Sequence, residues 1–167
     1  QGLRFVQRGG RGNSLGRIVF RFASSFSIYL HDTNTPWVFE RDRRTVSHGC
    51  IRVERPFDLA RYFIPGADAW TLDKIRISMD IPPETERGRQ WLKKNSHRAR
   101  PFRLISYYPI RPKVPVYIVY YTMYTNPDTG VVETWPDIYG YDKPLAAAMG
   151  EYLTKKKTTD TSDKIKD

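Results

Sequence analysis

The spacing of apolar residues changes period between Val53 and Pro56, and that change limits the folds open to this chain. Upstream, Arg17 to Phe22 alternates, with Ile18, Phe20 and Phe22 on one face and Arg17, Val19 and Arg21 on the other. Period two is the pattern of a strand with one buried face. Ser24 and Ser25 interrupt it, and Phe26, Ile28 and Leu30 then alternate with Ser27, Tyr29 and His31. This predicts a second strand that ends on His31. Downstream, Pro56 suits a first helical position, and Phe57, Ala60 and Phe63/Ile64 recur at helical spacing until Pro65-Gly66. A second helix is predicted from Thr71 to Met79, with Thr71 as its cap and Leu72, Ile75 and Met79 on one side. The charged segment Glu84 to Asn95 is helical by propensity and has only Trp91 and Leu92 as apolar anchors. Val114 to Tyr124 is rich in β-branched and aromatic residues, turns at Asn126-Pro127-Asp128-Thr129-Gly130, and returns over Val131 to Trp135, a hairpin signal. Strands early and late with helices between predict an α+β fold, or a mainly β one with helical decoration.

A length of 167 residues with 40% apolar content supports one domain with its own core rather than a disordered chain. No run of ~18 apolar residues exists, so no transmembrane helix is encoded. The start, Gln1 to Arg11, is polar and basic and does not read as a secretory leader. Gln stands where an initiator Met is expected, so upstream sequence is expected. The net charge is +10, which favours anionic partners such as nucleic acid, a membrane surface or an acidic polymer without choosing among them. Beyond Ala148 the chain turns polar and reads as a helix end and tail, and the Lys155–Lys157 run reads as solvated.

The chemistry concentrates between His31 and Arg52. Cys50 is the single cysteine, and it shares a stretch of about twenty positions with two of the three histidines, His31 and His48. A cysteine nucleophile needs a thiolate, a base to form it, and donors for the oxyanion at the attacked carbonyl. His31, at a strand end, is the base a rigid element can aim. Gly49 allows a tight turn and close approach beside Cys50. The backbone N–H groups of Gly49 and Cys50 are the oxyanion donors, and Arg52 is a charge that suits a substrate carboxylate or the thiolate. A lone cysteine is more often a small buried core residue, and a zinc site of His31, His48 and Cys50 is a lesser alternative, since no CxxC or HxxxH pair accompanies them. The GGRGNSLG loop lacks phosphate-loop spacing. Tyr117, Tyr120, Tyr121 and Tyr124 are expected to split between core and surface on a strand, and His97 reads as solvated.

Ser47-His48-Gly49-Cys50-Ile51-Arg52-Val53, preceded by Tyr29-Leu30-His31-Asp32-Thr33, closely resembles the signature of L,D-transpeptidases with a YkuD-type catalytic domain. The 19-residue separation of His31 from Cys50 resembles the larger, periplasmic branch. The resemblance extends more weakly to Asn13-Ser14-Leu15-Gly16-Arg17 and over Val114 to Asp142. It implies a mixed β-sheet core with short helices after the catalytic turn, and further strands ahead of Gln1. Residues 1–144 are then the C-terminal part of the catalytic domain, and residues 145–167 a helix end and flexible tail.

By the same resemblance Cys50 is the nucleophile and His31 the general base, oriented by the backbone near Asp32. His48, Gly49 and Cys50 line the oxyanion hole. Tyr29, Ser47, Arg52 and Asp32 bind substrate, with Ser47 and Arg52 alternatively holding the loop. The implied reaction is peptidoglycan cross-linking: a cysteinyl thioester forms on a tetrapeptide stem, D-Ala leaves, and an amine of a second stem resolves it. The implied partners are peptidoglycan stem peptides, with carbapenems as acylating inhibitors. No metal, organic cofactor or nucleic acid is implied, and the place is the periplasm or cell envelope, facing the wall. A non-catalytic peptidoglycan-binding fragment is the alternative, and a nucleic-acid binder rests only on basicity and aromatics.

Overall fold

Antiparallel pairing of Val19 with His31 and of Phe20 with Leu30 joins two short strands, β1 (Val19–Phe20) and β2 (Leu30–His31). A third strand, β3 (Ile51–Arg52), lies parallel to β2, with Leu30 opposite Ile51 and His31 opposite Arg52, so the sheet is mixed and ordered β1-β2-β3. The computed structural model describes residues 3, 5 and 7–150. The polar tail expected beyond Ala148, from residue 151 on and with its Lys155–Lys157 run, lies outside the described residues.

The two early strands are shorter than their alternation predicts. Ser27 takes a φ of 52°, which takes the chain out of the strand region and confines pairing to two rungs. Between β2 and β3, Pro36–Glu40 forms a 3-10 turn that buries Val38. Residues 41–49 are exposed.

Three helices follow β3: α1 (Pro56–Phe63), α2 (Ala69–Ser78) and α3 (Glu86–Lys94). The first matches its expectation, with Pro56 opening it and Phe57 and Ala60 buried. The cap of α2 is Asp68 rather than Thr71. The Asp68 carboxylate accepts the Thr71 N–H at 2.7 Å and the Thr71 hydroxyl at 3.0 Å, so Thr71 is the capped residue three positions on. Ile75 and Met79 are buried as predicted, and Leu72 packs against them half-buried. Asp73 and Ile77 are buried on another side of α2, where the Asp73 carboxylate accepts the N–H groups of Glu84 and Thr85 and the neighbouring Ser78 hydroxyl accepts those of Leu104 and Ile105. The core collects Phe57, Ile64, Ile75 and Met79, with Ile18 and Ile81 packed on it. Phe20 of β1 meets Phe63 of α1 edge-on at 6.0 Å, which seats the sheet on the helices.

The chain divides into two compact units, Gln1–Val116 and Tyr117–Asp167. The second contains the hairpin of β4 (Met123–Thr125) and β5 (Val132–Thr134), and residues 142–150 are helical. Three pairs form the ladder, and just beyond them the Trp135 N–H donates to the Thr122 carbonyl at 2.7 Å. The tyrosines expected to divide between core and surface stay outward, with Tyr117 83% exposed and Tyr120 alone half-buried. Tyr120 packs edge-on to Tyr139 and Tyr141, and its hydroxyl donates to Asp137. Among the described residues no helix is long and apolar enough to cross a membrane. The observed architecture is α+β with a mixed sheet, as the sequence predicts.

Candidate active site

β2 is the central strand, so its last residue is enclosed on both sides. His31 is 3% exposed. Its carbonyl accepts the Val53 N–H at 2.8 Å, and its Nδ1 donates to the backbone carbonyl of Asp32. A carbonyl only accepts, so Nδ1 carries a proton, and in the neutral ring the lone pair then lies on Nε2. That is the tautomer a proton acceptor needs.

Cys50 is half-buried and stands immediately before β3. The Ile51 N–H donates to the Tyr29 carbonyl at 2.9 Å, which brings the Cys50–Ile51 peptide beside Tyr29 and one row from His31. His31 faces Arg52 in register, and continuing the pleat back from Arg52 puts Cys50 on the same face of the sheet.

N–H groups alternate sides along a strand. Ile51 and Val53 donate to β2, so the Cys50 N–H points to the edge of β3 that no strand among the described residues covers. It has no hydrogen-bond partner among the described residues. Gly49 holds a φ of 127°, which favours glycine, although a Cβ there would meet nothing closer than Ile28 Cγ1 at 3.9 Å. The glycine serves the backbone turn, then, more than close packing. Its N–H leans on the Ser47 hydroxyl at 3.4 Å. Ser47 and His48 are exposed.

Arg52 ties this turn to the sheet. Its Nη1 donates to the Val46 carbonyl at 2.9 Å, while its Nε is buried without a partner. Tyr29 is half-buried beneath the Arg21 guanidinium, 5.9 Å from its ring centre. Asp32 is 3% exposed, and its carboxylate is occupied by Arg17 through Nε at 2.6 Å and the backbone N–H at 2.9 Å. Burial pushes the Asp32 carboxyl up, but the bonds from Arg17 and Thr33 and the Arg17 charge outweigh it, holding the group below the ordinary carboxylate range. Sequence reasoning placed Arg17 on a polar strand face and missed this pairing. The quoted Asn13–Arg17 segment was the one available signal for it. Among the described residues no three His, Cys, Asp or Glu side chains are grouped to hold a metal ion, so His31, His48 and Cys50 do not assemble as zinc ligands.

Residues 2–77 match the model of the YkuD family, the L,D-transpeptidase catalytic domain. That span contains β1 to β3, the Ser47–Cys50 turn, and α1 and most of α2. A protein of Haemophilus influenzae that carries the name "Putative L,D-transpeptidase" is 32% identical over 143 residues. The match takes in 86% of this chain and 24% of that relative, so the chain spans about a quarter of the relative's length. The sheet that carries His31, with Cys50 just ahead of its third strand, lies wholly inside the family match, and this stretch of the chain belongs to the L,D-transpeptidase family.

Proposed function

We propose that the chain carries the acyl-transfer centre of a peptidoglycan L,D-transpeptidase, with Cys50 as nucleophile and His31 as general base. His31 Nε2 takes the Cys50 proton. The thiolate attacks the carbonyl of the third residue of a tetrapeptide stem, and a C–S bond forms. Negative charge moves to the carbonyl oxygen, which accepts hydrogen bonds from the Cys50 N–H and, once released from Ser47, the Gly49 N–H. The C–N bond to D-Ala breaks, His31 returns its proton to the leaving amine, and a thioester remains. The amine of a second stem attacks that thioester, His31 takes the amine's proton, and the thiol is restored as the amide forms.

One observation supports the reading: the Nδ1–H bond of His31 to the Asp32 carbonyl, which in the neutral ring puts the lone pair on Nε2, on a strand whose register sets His31 opposite Arg52, two residues from Cys50. In this scheme His48 flanks the oxyanion turn, Tyr29 and Ser47 border the donor peptide, and Arg52 holds the loop through Val46. Asp32 serves the site through its backbone. Residues 1–144 belong to the catalytic domain, and the partner is wall peptide in the periplasm or envelope. Gln1–Val116 holds 22 of the 28 Lys and Arg and 10 of the 18 Asp and Glu, which suits an anionic wall polymer.

Intact mass after incubation with a carbapenem tests the scheme. One covalent adduct, absent in Cys50→Ser, is the expected result. An unmodified protein that still binds purified sacculi would support the alternative, a non-catalytic wall-binding chain.

A further inference from the structure

We propose that the Asn13–Arg17 turn is a positioning clamp for His31, acting through Asp32. This rests on His31 being the base for Cys50. The turn is built for one conformation. The Gly10 N–H donates to the Gly16 carbonyl at 3.0 Å, the Gly16 N–H to the Asn13 carbonyl at 2.8 Å, and the Leu15 N–H to the Asn13 side chain at 2.8 Å. Gly16 emerges at a φ of 65° against Asp32, and a Cβ on it would lie 2.5 Å from Asp32 Cβ and Cγ. Only glycine lets the backbone approach this closely. The next residue, Arg17, then reaches one Asp32 oxygen with both its backbone N–H and its Nε, and the other oxygen with Nη2 at 3.4 Å.

Asp32 is thereby held at every polar group. Its N–H donates to the Ile18 carbonyl at 3.0 Å, its carboxylate is taken by Arg17, and its carbonyl accepts the His31 ring. β2 ends at His31, so the ladder does little to orient the Asp32 peptide beyond that one N–H. The side-chain grip supplies the remaining constraint. A buried ion pair rarely gains net stability over apolar packing of the same volume, and holding a geometry is what it does better. Arg17 and Asp32 are positioning residues, and neither needs to touch substrate.

The test is alkylation of Cys50, the single thiol, by iodoacetamide across pH, in the full chain and in the variants His31→Ala, Asp32→Asn, Arg17→Met and Arg17→Lys. Thermal melts establish which variants are folded at the assay temperature. Imidazole nitrogen NMR reads the tautomer of His31. The wild type is expected to hold His31 as the Nδ1–H form. Asp32→Asn and Arg17→Met should mix the tautomers, slow alkylation near neutrality roughly 10–100-fold, as outer-shell partners commonly do, and move its pH profile toward alkali. Arg17→Lys, which keeps the charge without the fork, should fall between. Should Asp32→Asn or Arg17→Met be unfolded, Arg17→Lys and the wild-type tautomer decide. If His31→Ala slows alkylation while folded clamp variants keep the wild-type rate and tautomer, the clamp is wrong and the base assignment stands. If His31→Ala alkylates like the wild type, the base assignment itself falls.

Discussion

Two aspartates are almost fully enclosed, and they do opposite work. Asp32 is 3% exposed at the end of the sheet, and Asp73 is 1% exposed inside α2. Asp73 accepts the N–H groups of Glu84 at 2.7 Å and Thr85 at 3.0 Å, together with the Thr85 hydroxyl. Thr85 in turn caps α3 by accepting the Gly88 N–H at 3.0 Å. Asp73 therefore fastens one helix to the start of the next, with neutral donors and no ion pair among the described residues. Asp32 takes a charged partner and passes its orientation on to a histidine. Burial alone does not mark a functional carboxylate; what its neighbours do next decides it.

The largest effects should come from the glycines pressed against each aspartate. A Cβ on Gly88 would lie 2.3 Å from Asp73 Oδ2 and 2.5 Å from Pro83 Cβ. Both neighbours are held, so Gly88→Ala should cost about 3 kcal/mol or more by overpacking. Gly16→Ala meets an equally tight contact with Asp32, and its φ of 65° adds strain of about 1–2 kcal/mol. Urea unfolding measures both losses. Cys50 alkylation separates them: at a temperature where each is folded, Gly88→Ala should react like the wild type and Gly16→Ala should be slow. Equal rates would erase the distinction between the two sites.

Next in size are the aspartates themselves. Asp73→Ala leaves the Glu84 and Thr85 N–H groups without partners and should cost about 2–4 kcal/mol. The thiol should be unaffected. Asp32→Asn should show the reverse balance, a smaller stability loss and a clear loss of thiol reactivity. A variant of Asp73 that silences Cys50 while folded would refute the division of labour.

This division was only partly legible in the sequence. α1 was readable because its signals are local: Pro56 at the start, Phe57 and Ala60 one turn apart, Pro65-Gly66 as the stop. Asp68 was passed over as the α2 cap although it stands three residues before Thr71, because Thr71 is itself a good cap type. The strands were overextended, since alternation says which face a residue would take and not whether a partner strand is present. The His31–Asp32 contact joins neighbours, and an orienting backbone there was foreseeable. The Arg17–Asp32 pair spans 15 residues and depends on how the Gly16 turn meets the sheet, which no local pattern encodes. Asp73 lies off the Leu72, Ile75 and Met79 face of α2, and its partners Glu84 and Thr85 come from beyond the helix, so no local pattern marks it as buried either.

Acid should sharpen the contrast further. The Asp32 carboxyl is held below its ordinary range, with the Arg17 and Thr33 bonds overcoming the upward push of burial. A depressed carboxyl adds stability above its unfolded pKa, ~3.9, and that stability is lost as pH falls through the folded value. Wild-type stability should therefore drop below about pH 4 by an amount that Asp32→Asn, having no carboxyl there, does not lose. Parallel acid limbs in the two proteins would mean that the pair contributes nothing to folding.

The smallest effect is expected from a pair with the same length. Arg55 Nε stands 2.6 Å from Asp58 Oδ2, the distance at which Arg17 Nε meets Asp32 Oδ2. The side chains of the first pair are 79% and 50% exposed, and those of the second 24% and 4%. Water screens the Arg55–Asp58 attraction and ordering two long side chains offsets much of it, so Asp58→Asn should cost about 0.5 kcal/mol, falling further in 1 M salt. A small part of even that cost reflects the acidic group in the first turn of α1, where the helix dipole favours it. Cys50 alkylation should be unchanged. If Asp58→Asn instead slowed the thiol as Asp32→Asn is expected to, proximity to His31 would not be the reason Asp32 matters, and charge removal anywhere near the sheet would explain both.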